Sequence, residues 1–280
     1  MENFFNGKVA VVTGAGGTLC SEISKFLGSQ GAKVALIGRT EAKLEPVAEA
    51  IREMGGTALV IAADVNDEAS MEAAGAKVLE QLGACNMLIN GAGGNQPKAM
   101  TANEAYTPEE LQPDFDKIGF FNLDMEVYKS VLCTNTLGSV IPTRVFAKQM
   151  ITVGGGSILN FASMNTYCPL TKVPAYAMAK AAVSNFTQWL GGYLAPAGIR
   201  VNAIAPGFFA SKQNEKLLFN DDGTPTARTH KILAGTPMGR FGKTEELAGG
   251  LLFLLDDNAA GFITGVVLPI DGGFSAYSGV

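Results

Sequence analysis

Short apolar runs alternate with longer amphipathic stretches along the whole chain. Runs rich in Val, Ile, Leu and Ala predict buried parallel strands at residues 8–12, 31–37, 57–63, 87–90, 157–162, 199–205 and 266–270. Helical periodicity, with glycine or proline at the ends, predicts helices at residues 21–30, 41–54, 69–82, 127–150, 175–194 and 244–255. Alternating strands and helices predict an α/β fold: one Rossmann-type, doubly wound domain over residues 1–280, with a mostly parallel sheet of about seven strands.

Two regions interrupt this alternation. Residues 95–126 carry prolines, several acidic residues and three phenylalanines, and residues 208–239 carry several cations near Gly223 and Pro225. Insertions of this length are usually functional or disordered. Because each follows a predicted strand end, we expect the first to form a partly ordered flap over a ligand crevice and the second to lie beside a substrate.

Composition argues against several classes of function. The net charge is −5 and no basic stripe is present, which argues against a nucleic-acid partner. The four cysteines are scattered without metal-ligand spacing, so we expect no metal site and buried free thiols in a reducing compartment. Neither an apolar signal segment nor a run long enough to cross a bilayer is visible, which predicts a cytoplasmic protein with no membrane partner.

Glycine clusters follow two of the predicted strands. Residues 14–17 contain three glycines between a strand and a helix, and residues 91–94 contain three more after the fourth strand. Glycine lets the backbone approach a pyrophosphate closely, and a helix N-terminus favours anions. The pattern indicates a dinucleotide cleft, although an ordinary glycine-rich turn has the same sequence.

The end of the second predicted strand bears on the choice of cofactor. An Asp or Glu at this place binds the ribose 2′-hydroxyl of NAD, but here Gly38 is followed by Arg39. A guanidinium suits a 2′-phosphate, so the sequence favours NADP(H) over NAD(H). The alternative is that Arg39 is an ordinary solvated loop residue.

A hydroxyl, a phenol and an ammonium come together in residues 163–180. Ser163 follows the fifth predicted strand, and Tyr176 and Lys180 are one turn apart on the next helix. A nearby ammonium lowers the pKa of a phenol, which makes it a better base for removing a proton from an alcohol. Tyr and Lys at this spacing are also common in helices that have no catalytic role.

Together these motifs resemble the short-chain dehydrogenase/reductase family over essentially the whole chain. The residues that carry the resemblance are Thr13, Gly14, Asp64, Asn90, Gly91, Ala92, Gly93, Asn135, Ser163, Tyr176, Lys180, Asn202, Pro206 and Gly207. The resemblance implies that Ser163 binds the substrate oxygen, Tyr176 exchanges the proton, and Lys180 bonds the nicotinamide ribose and lowers the Tyr176 pKa. It also implies that Asn135 holds a relay water, and that the chain is a homotetramer.

The resemblance further implies a set of cofactor contacts, with one departure from the family pattern. The set is Gly14, Gly16, Gly17, Thr18, Leu19, Arg39, Asp64, Val65, Asn90, Gly91, Ala92, Gly93, Tyr176, Lys180, Pro206, Gly207 and Phe209. Thr18 and Cys20 occupy places where the family usually has glycine. Each of these two residues therefore places a Cβ where the family's turn usually has none.

Residues 89–97, 171–187, 200–214, 230–243 and 271–280 resemble a sugar-acid branch of the family, which implies a small-molecule substrate that is a hexuronate or an aldonate. A carboxylate substrate needs cationic or N–H-rich surroundings. The candidate substrate contacts are Asn95, Gln96, Ser163, Lys212, Arg228, His230 and Lys231. Two other functions stay open. One is reduction of an apolar ketone, favoured by Phe208 and Phe209, and the other is a non-catalytic NADP(H) sensor.

Overall fold

The computed structural model describes residues 4–210 and 218–279. Its strands form one sheet in the order β3-β2-β1-β4-β5-β6-β7, and every neighbouring pair is parallel. The strands are β1 (Val9–Thr13), β2 (Lys33–Gly38), β3 (Thr57–Ala62), β4 (Met87–Asn90), β5 (Gly156–Phe161), β6 (Ile199–Pro206) and β7 (Val267–Ile270). This single α/β domain confirms the predicted fold class.

Helices connect the strands, and most of them match the predicted segments to within three residues. They are α1 (Thr18–Ser29), α2 (Glu41–Glu53), α3 (Glu68–Gln81), α4 (Met125–Thr152), α5 (Pro174–Leu194), α6 (Ala227–Ala234), α7 (Glu246–Leu255) and the short α8 (Asp257–Ala260). In the part of the chain that the structure describes, no helix is both long and apolar enough to cross a membrane.

The second predicted insertion is not irregular throughout, since α6 lies within it. The Thr226 side chain caps this helix by accepting the Thr229 N–H, and Ile232 is buried. Asp, Asn, Ser or Thr before a helix is a start signal, but the amphipathic stretch is too short to be distinguished from a loop by periodicity. The predicted irregular segment is therefore wrong for residues 227–234.

The first insertion contains only three single 3₁₀ turns, at Pro97–Ala99, Pro108–Leu111 and Phe120–Asn122. Backbone hydrogen bonds hold it together and to the rest of the chain. Ala102 N–H donates to Ile118 O at 2.7 Å, and Thr101 N–H donates to Lys172 O at 3.0 Å. The segment is thus ordered without regular secondary structure, as its aromatic content predicts.

Each face of the sheet has its own hydrophobic core. In β1, Ala10 and Val12 enter a cluster with α1, α2 and α7, while Val9 and Val11 enter a cluster with α3, α4 and α5. Successive strand side chains point to opposite faces, so a strand covered on both faces is apolar throughout. All five residues of β1 are accordingly buried.

A ladder of buried polar side chains crosses the centre of the sheet. Asn90 in β4 donates from Nδ2 to Thr143 Oγ1 of α4 and to Asn160 Oδ1 of β5, both at 2.9 Å. Asn160 Nδ2 in turn donates to Thr187 Oγ1 of α5 at 2.9 Å. Because buried amides without partners are costly, this ladder fixes the positions of α4 and α5 over the two central strands.

Candidate active site

The site begins where the winding of the sheet reverses. From β1 the chain adds β2 and β3 on one side, and from β4 it adds the remaining strands on the other. In open α/β sheets a crevice forms at such a point, beyond the carboxyl ends of the strands. Thr13 Oγ1 joins the two turns here, because it accepts the N–H groups of Gly91 and Ala92, each at 3.2 Å.

Position 14, directly after β1, requires glycine. Its φ is +66°, and a Cβ there would lie 2.8 Å from Ala92 Cα. A residue with a side chain would therefore have both a strained backbone and a clash with the neighbouring turn. The two turns can approach each other only because of this residue.

The crevice contains a cavity of about 250 Å³. Eight of the predicted cofactor contacts line it, namely Gly14, Gly16, Gly17, Arg39, Asp64, Val65, Ala92 and Gly93. Lining residues outside the predicted set of cofactor contacts are Gly38, Thr40, Lys43, Leu44, Ala63, Asn66 and Thr134. A cleft lined by glycine backbone and by two cations, Arg39 and Lys43, fits a phosphate-bearing dinucleotide.

Cys20 occupies space that the glycine turn of β4 leaves open. A Cβ on Gly91 would overlap the Cys20 sulfur, so the absence of a side chain at one position accommodates the thiol at the other. Burial raises the pKa of Cys20 to about 12, which keeps the thiol neutral. A cysteine at position 20, where the family usually has glycine, therefore fits the packing of α1 against the sheet.

Ser163 lies just after β5 and is positioned by a residue that the sequence did not indicate. Its Oγ accepts both the backbone N–H and the side-chain Nδ2 of Asn165, each at 3.2 Å. Asn165 is itself buried, and its Oδ1 accepts the N–H of Leu170 at 2.9 Å. These contacts hold the hydroxyl at the carboxyl end of the sheet, beside the start of α5.

The Tyr176 phenol has a pKa above its ordinary value. Burial raises this pKa, and a hydrogen bond with Ser163 acts in the opposite direction without overcoming it. The sequence predicted a Tyr176 pKa lowered by Lys180, whereas in this structure the pKa is raised and Lys180 is not among the causes of the shift. The Lys180 ammonium lies 5.5 Å from the centre of the Tyr176 ring, and its charge is directed to another partner.

That partner is the main-chain oxygen of Phe161, which Lys180 Nζ contacts at 2.7 Å. Lys180 is 5% exposed, and burial lowers its pKa to about 8. An ammonium with this pKa gives up its proton far more readily than an exposed lysine does. Tyr176 and Lys180 therefore share one face of α5, as predicted. Burial raises the pKa of Tyr176 and lowers that of Lys180, so it favours the neutral form of both side chains.

Asn135 ties α4 to the second glycine turn. Its Nδ2 donates to Gly94 O at 2.7 Å and to Val131 O at 2.8 Å, while its Oδ1 accepts the Gly94 N–H at 3.1 Å. A Cβ on Gly93 would overlap Asn135 Oδ1 and lie 3.5 Å from Lys180 Nζ. Asn135, Gly93 and Lys180 thus meet at one point of the crevice.

A second cavity, of about 400 Å³, lies between the first insertion, the start of α5 and α6. Its wall includes the charged residues Glu104, Lys172, Arg228 and Lys231 together with the apolar Phe208. Lys231 Nζ contacts both carboxylate oxygens of Glu104 at 2.9 Å. Two predicted cations, Arg228 and Lys231, therefore do border a cavity, whereas Lys172 and Glu104 were not foreseen.

Other predicted site residues lie outside these two cavities. Asn90 is buried, and its side-chain Nδ2 belongs to the amide ladder of the sheet. His230 is exposed and does not line the second cavity, and the Asn95 side chain accepts the N–H of Gln96 at 2.9 Å. Lys212 lies outside the described residues.

The remaining predicted cofactor contacts are not among the residues that line the first cavity. Thr18 and Leu19 begin α1, whose N-cap is Gly17, and Pro206 ends β6. Gly207 N–H donates to Ile270 O at 2.9 Å, and Phe209 is buried. No group of three or more His, Cys, Asp or Glu residues able to hold a metal occurs among residues 4–210 and 218–279.

The low pKa of Lys180 predicts an unusual effect on stability. The folded chain releases this proton near pH 8, whereas an ordinary lysine holds it to about pH 10.5. Between these values the unfolded chain binds more protons, so stability rises with pH, and below them the folded chain carries the full cost of the buried charge. We expect Lys180→Met to increase the free energy of unfolding at pH 7 by about 1 to 3 kcal/mol.

Urea unfolding at pH 7 and at about pH 10 measures this effect. The variant should lose the rise in stability that the parent protein shows between these two conditions. Lys77→Met, at an exposed position of α3, should change neither value. A Lys180→Met protein less stable than the parent at pH 7 would contradict the prediction.

Comparison with known proteins identifies the fold family. Residues 8–221 match the profile of the short chain dehydrogenase family. The uncharacterized oxidoreductase UxuB of Bacillus subtilis is 50% identical over 274 residues, which cover 98% of this chain and 97% of that protein. A gluconate 5-dehydrogenase from Burkholderia cenocepacia, solved with NADP and tartrate, superposes with a TM-score of 0.81 at 26% identity over 99% of this chain and 98% of that one.

A further similar structure is a provisionally assigned D-mannonate oxidoreductase from Haemophilus influenzae with bound NAD. It has a TM-score of 0.94 and 49% identity, and the match covers 98% of this chain and 97% of that one. Its NAD is consistent with a nicotinamide cofactor but does not support a preference for NADP(H). The chain belongs to the short-chain dehydrogenase family and is an NAD(P)-dependent dehydrogenase or reductase that acts on CH–OH groups.

Proposed function

We propose that this protein reduces the ketone of a sugar acid, with D-fructuronate as the substrate and D-mannonate as the product. The observation that carries this proposal is the charged wall of the second cavity, whose lining includes Val173, three residues before Tyr176 in the sequence. Its cations suit a substrate that bears a carboxylate. The similarity to a provisionally assigned D-mannonate oxidoreductase also supports this choice.

The nicotinamide cofactor, when bound, supplies or accepts a hydride at the substrate carbon. We assign its binding to the glycine turns after β1 and β4, with Asp64 and Val65 toward the adenine and Lys180 toward the ribose. Ser163 donates a hydrogen bond to the substrate oxygen, and Asn165 holds Ser163 in place for this. Asn135 positions the second glycine turn, and we retain the proposal that it orders a relay water.

Tyr176 transfers the proton to the same oxygen. Because burial raises its pKa, the phenol stays protonated at neutral pH and is a proton donor under these conditions. A donor is what a ketone needs as it becomes an alcohol. The protonated phenol of Tyr176 therefore supplies the proton that reduction of the ketone consumes.

A substrate comparison tests the proposed function. Oxidation of NADPH and of NADH is followed with D-fructuronate, D-tagaturonate and a steroid ketone. Turnover of D-fructuronate alone is the expected result. Turnover of D-tagaturonate alone would change the sugar acid, and turnover of the steroid alone would favour the apolar-ketone alternative. Cofactor binding without any turnover would favour the sensor alternative.

Removing the phenol oxygen tests the role of Tyr176. We expect Tyr176→Phe to lower kcat by about 10²-fold to 10⁴-fold, the usual contribution of a general acid, while the cofactor still binds. Steady-state kinetics and cofactor titration measure the two effects. The control is Tyr277→Phe, at an exposed position near the end of the described chain, which should keep its activity. Near-normal kcat in Tyr176→Phe would contradict the assignment.

The cofactor preference depends on Arg39, which is exposed at the wall of the first cavity. If Arg39 binds a 2′-phosphate, Arg39→Asp should shift the ratio of kcat/KM from NADPH toward NADH, because a carboxylate repels the phosphate and accepts the ribose hydroxyl. Arg52→Asp at the far end of α2 is the control. An unchanged ratio would mean that Arg39 is only a solvated residue.

We also infer a homotetramer in the cytoplasm. Large exposed apolar side chains support self-association, including Trp189 and Tyr193 on α5, at 58% and 68% exposure, and Phe262 near β7. Large apolar side chains that lie together on one helix, as Trp189 and Tyr193 do, form an exposed patch of the kind that marks an interaction surface. Sedimentation equilibrium should give four times the chain mass of 29.2 kDa, and a monomer mass would contradict this inference.

A further inference from the structure

Lys172 has a backbone conformation that residues with side chains rarely adopt. Its φ is +71°, and among the described residues it is the one position other than glycine with a positive φ. Cβ makes this left-handed region unfavourable, so such a residue usually persists where its side chain has a function. Glycine would fit the turn without strain, but it would remove the ammonium.

The surroundings hold this turn in place at the entrance to α5. Thr101 N–H of the first insertion donates to Lys172 O at 3.0 Å. Two residues later Pro174 begins the helix that carries Tyr176. Lys172 lines the second cavity, and it lies four residues before the proton donor Tyr176 in the sequence.

The charges around this cavity do not balance. Glu104 forms an ion pair with Lys231, which leaves Lys172 and Arg228 as further cations in the same wall. Among the described residues no carboxylate lies within salt-bridge distance of Lys172 or Arg228. The pKa of Glu104 is lowered first by its hydrogen bond with Lys231, and the charges of Lys172 and Arg228 add to this. The three cations therefore surround one region, and that region has an excess of positive charge.

We propose that Lys172 binds the carboxylate of the substrate and thereby selects sugar acids over neutral sugars. The inference rests on the proposed function, since it names the residue that recognises the acid group of that substrate. In D-fructuronate the carboxylate and the reacting ketone lie toward opposite ends of the carbon chain. A site that holds the ketone at Ser163 and Tyr176 therefore needs a separate contact for the carboxylate.

Lys172 is better suited to this contact than Arg228. Arg228 is exposed on α6, whereas Lys172 is partly buried on a turn held by the first insertion. A compact ammonium can donate hydrogen bonds to a carboxylate in many orientations, which suits a flexible open-chain substrate. A guanidinium favours one planar geometry. Arg228 would add long-range attraction at the rim of the cavity.

Removing the charge while keeping the length of the side chain tests the proposal. Lys172→Met retains Cβ and the aliphatic stem, so the backbone conformation stays as it is. We expect KM for D-fructuronate to rise about tenfold to a hundredfold, the usual effect of losing a charge-assisted contact, with a much smaller change in kcat. For D-fructose, which has a neutral group in place of the carboxylate, kcat/KM should not change. Lys77→Met is the control for a lysine away from the cavity.

A second variant separates the charge from the fold. Lys172→Gly removes the ammonium and also relieves the strained φ, so it should melt no lower than the parent protein. We expect it to lose affinity for D-fructuronate to the same extent as Lys172→Met. A KM for D-fructuronate within twofold of the parent value in both variants would overturn the proposal. An equal loss of activity toward D-fructose and D-fructuronate would also overturn it, because the role would then be structural.

Direct binding keeps this inference distinct from the proposed function. If the parent protein reduces no sugar acid, the proposed function fails, but calorimetric titration with D-mannonate still compares the parent with Lys172→Met. Tighter binding by the parent, by about tenfold or more, supports Lys172 as the carboxylate contact. Equal affinity, or no detectable binding by the parent protein, would contradict it.

Discussion

The close approach of the turns after β1 and β4 is the constraint on which the site depends. Gly14 can adopt its positive φ against the Ala92 backbone only because it has no side chain. Thr13 then bonds both turns through one hydroxyl. The cavity, the glycine wall and the meeting point of Asn135 with Lys180 all follow from this contact between two loops that are far apart in the sequence.

Burial sets the pKa values of the two proton-transfer residues, Tyr176 and Lys180. An exposed tyrosine and lysine would each keep an ordinary pKa, but near the start of α5 burial raises the pKa of Tyr176 and lowers that of Lys180, which favours the neutral form of both. The main-chain oxygen of Phe161 keeps the ammonium in place in spite of this cost. The site therefore resembles other enzyme sites in which stability is given up for reactivity.

The sequence predicted the fold well because strand and helix periods were regular. Each strand run was apolar and bounded by glycine, and the catalytic candidates followed strand ends or stood on a helix. The sequence did not reveal α6, because eight residues with two buried side chains give little periodicity. Nor did it reveal Lys172 and Asn165, whose importance lies in a left-handed turn and a buried amide that only tertiary contacts define. The direction of the Tyr176 pKa was missed because burial raises this pKa more than the hydrogen bond with Ser163 lowers it, and burial is a property of the fold.

The amide ladder between α4 and α5 has a consequence for how this chain can vary among relatives. Asn90 donates to the Thr143 hydroxyl and to the Asn160 side-chain oxygen, and Asn160 donates to the Thr187 hydroxyl. A single change of Thr143 or Thr187 to valine would preserve shape but leave a buried amide donor without an acceptor. Substitutions at these four positions should therefore occur together, so that the ladder is inherited as a unit even where the surrounding apolar residues change freely.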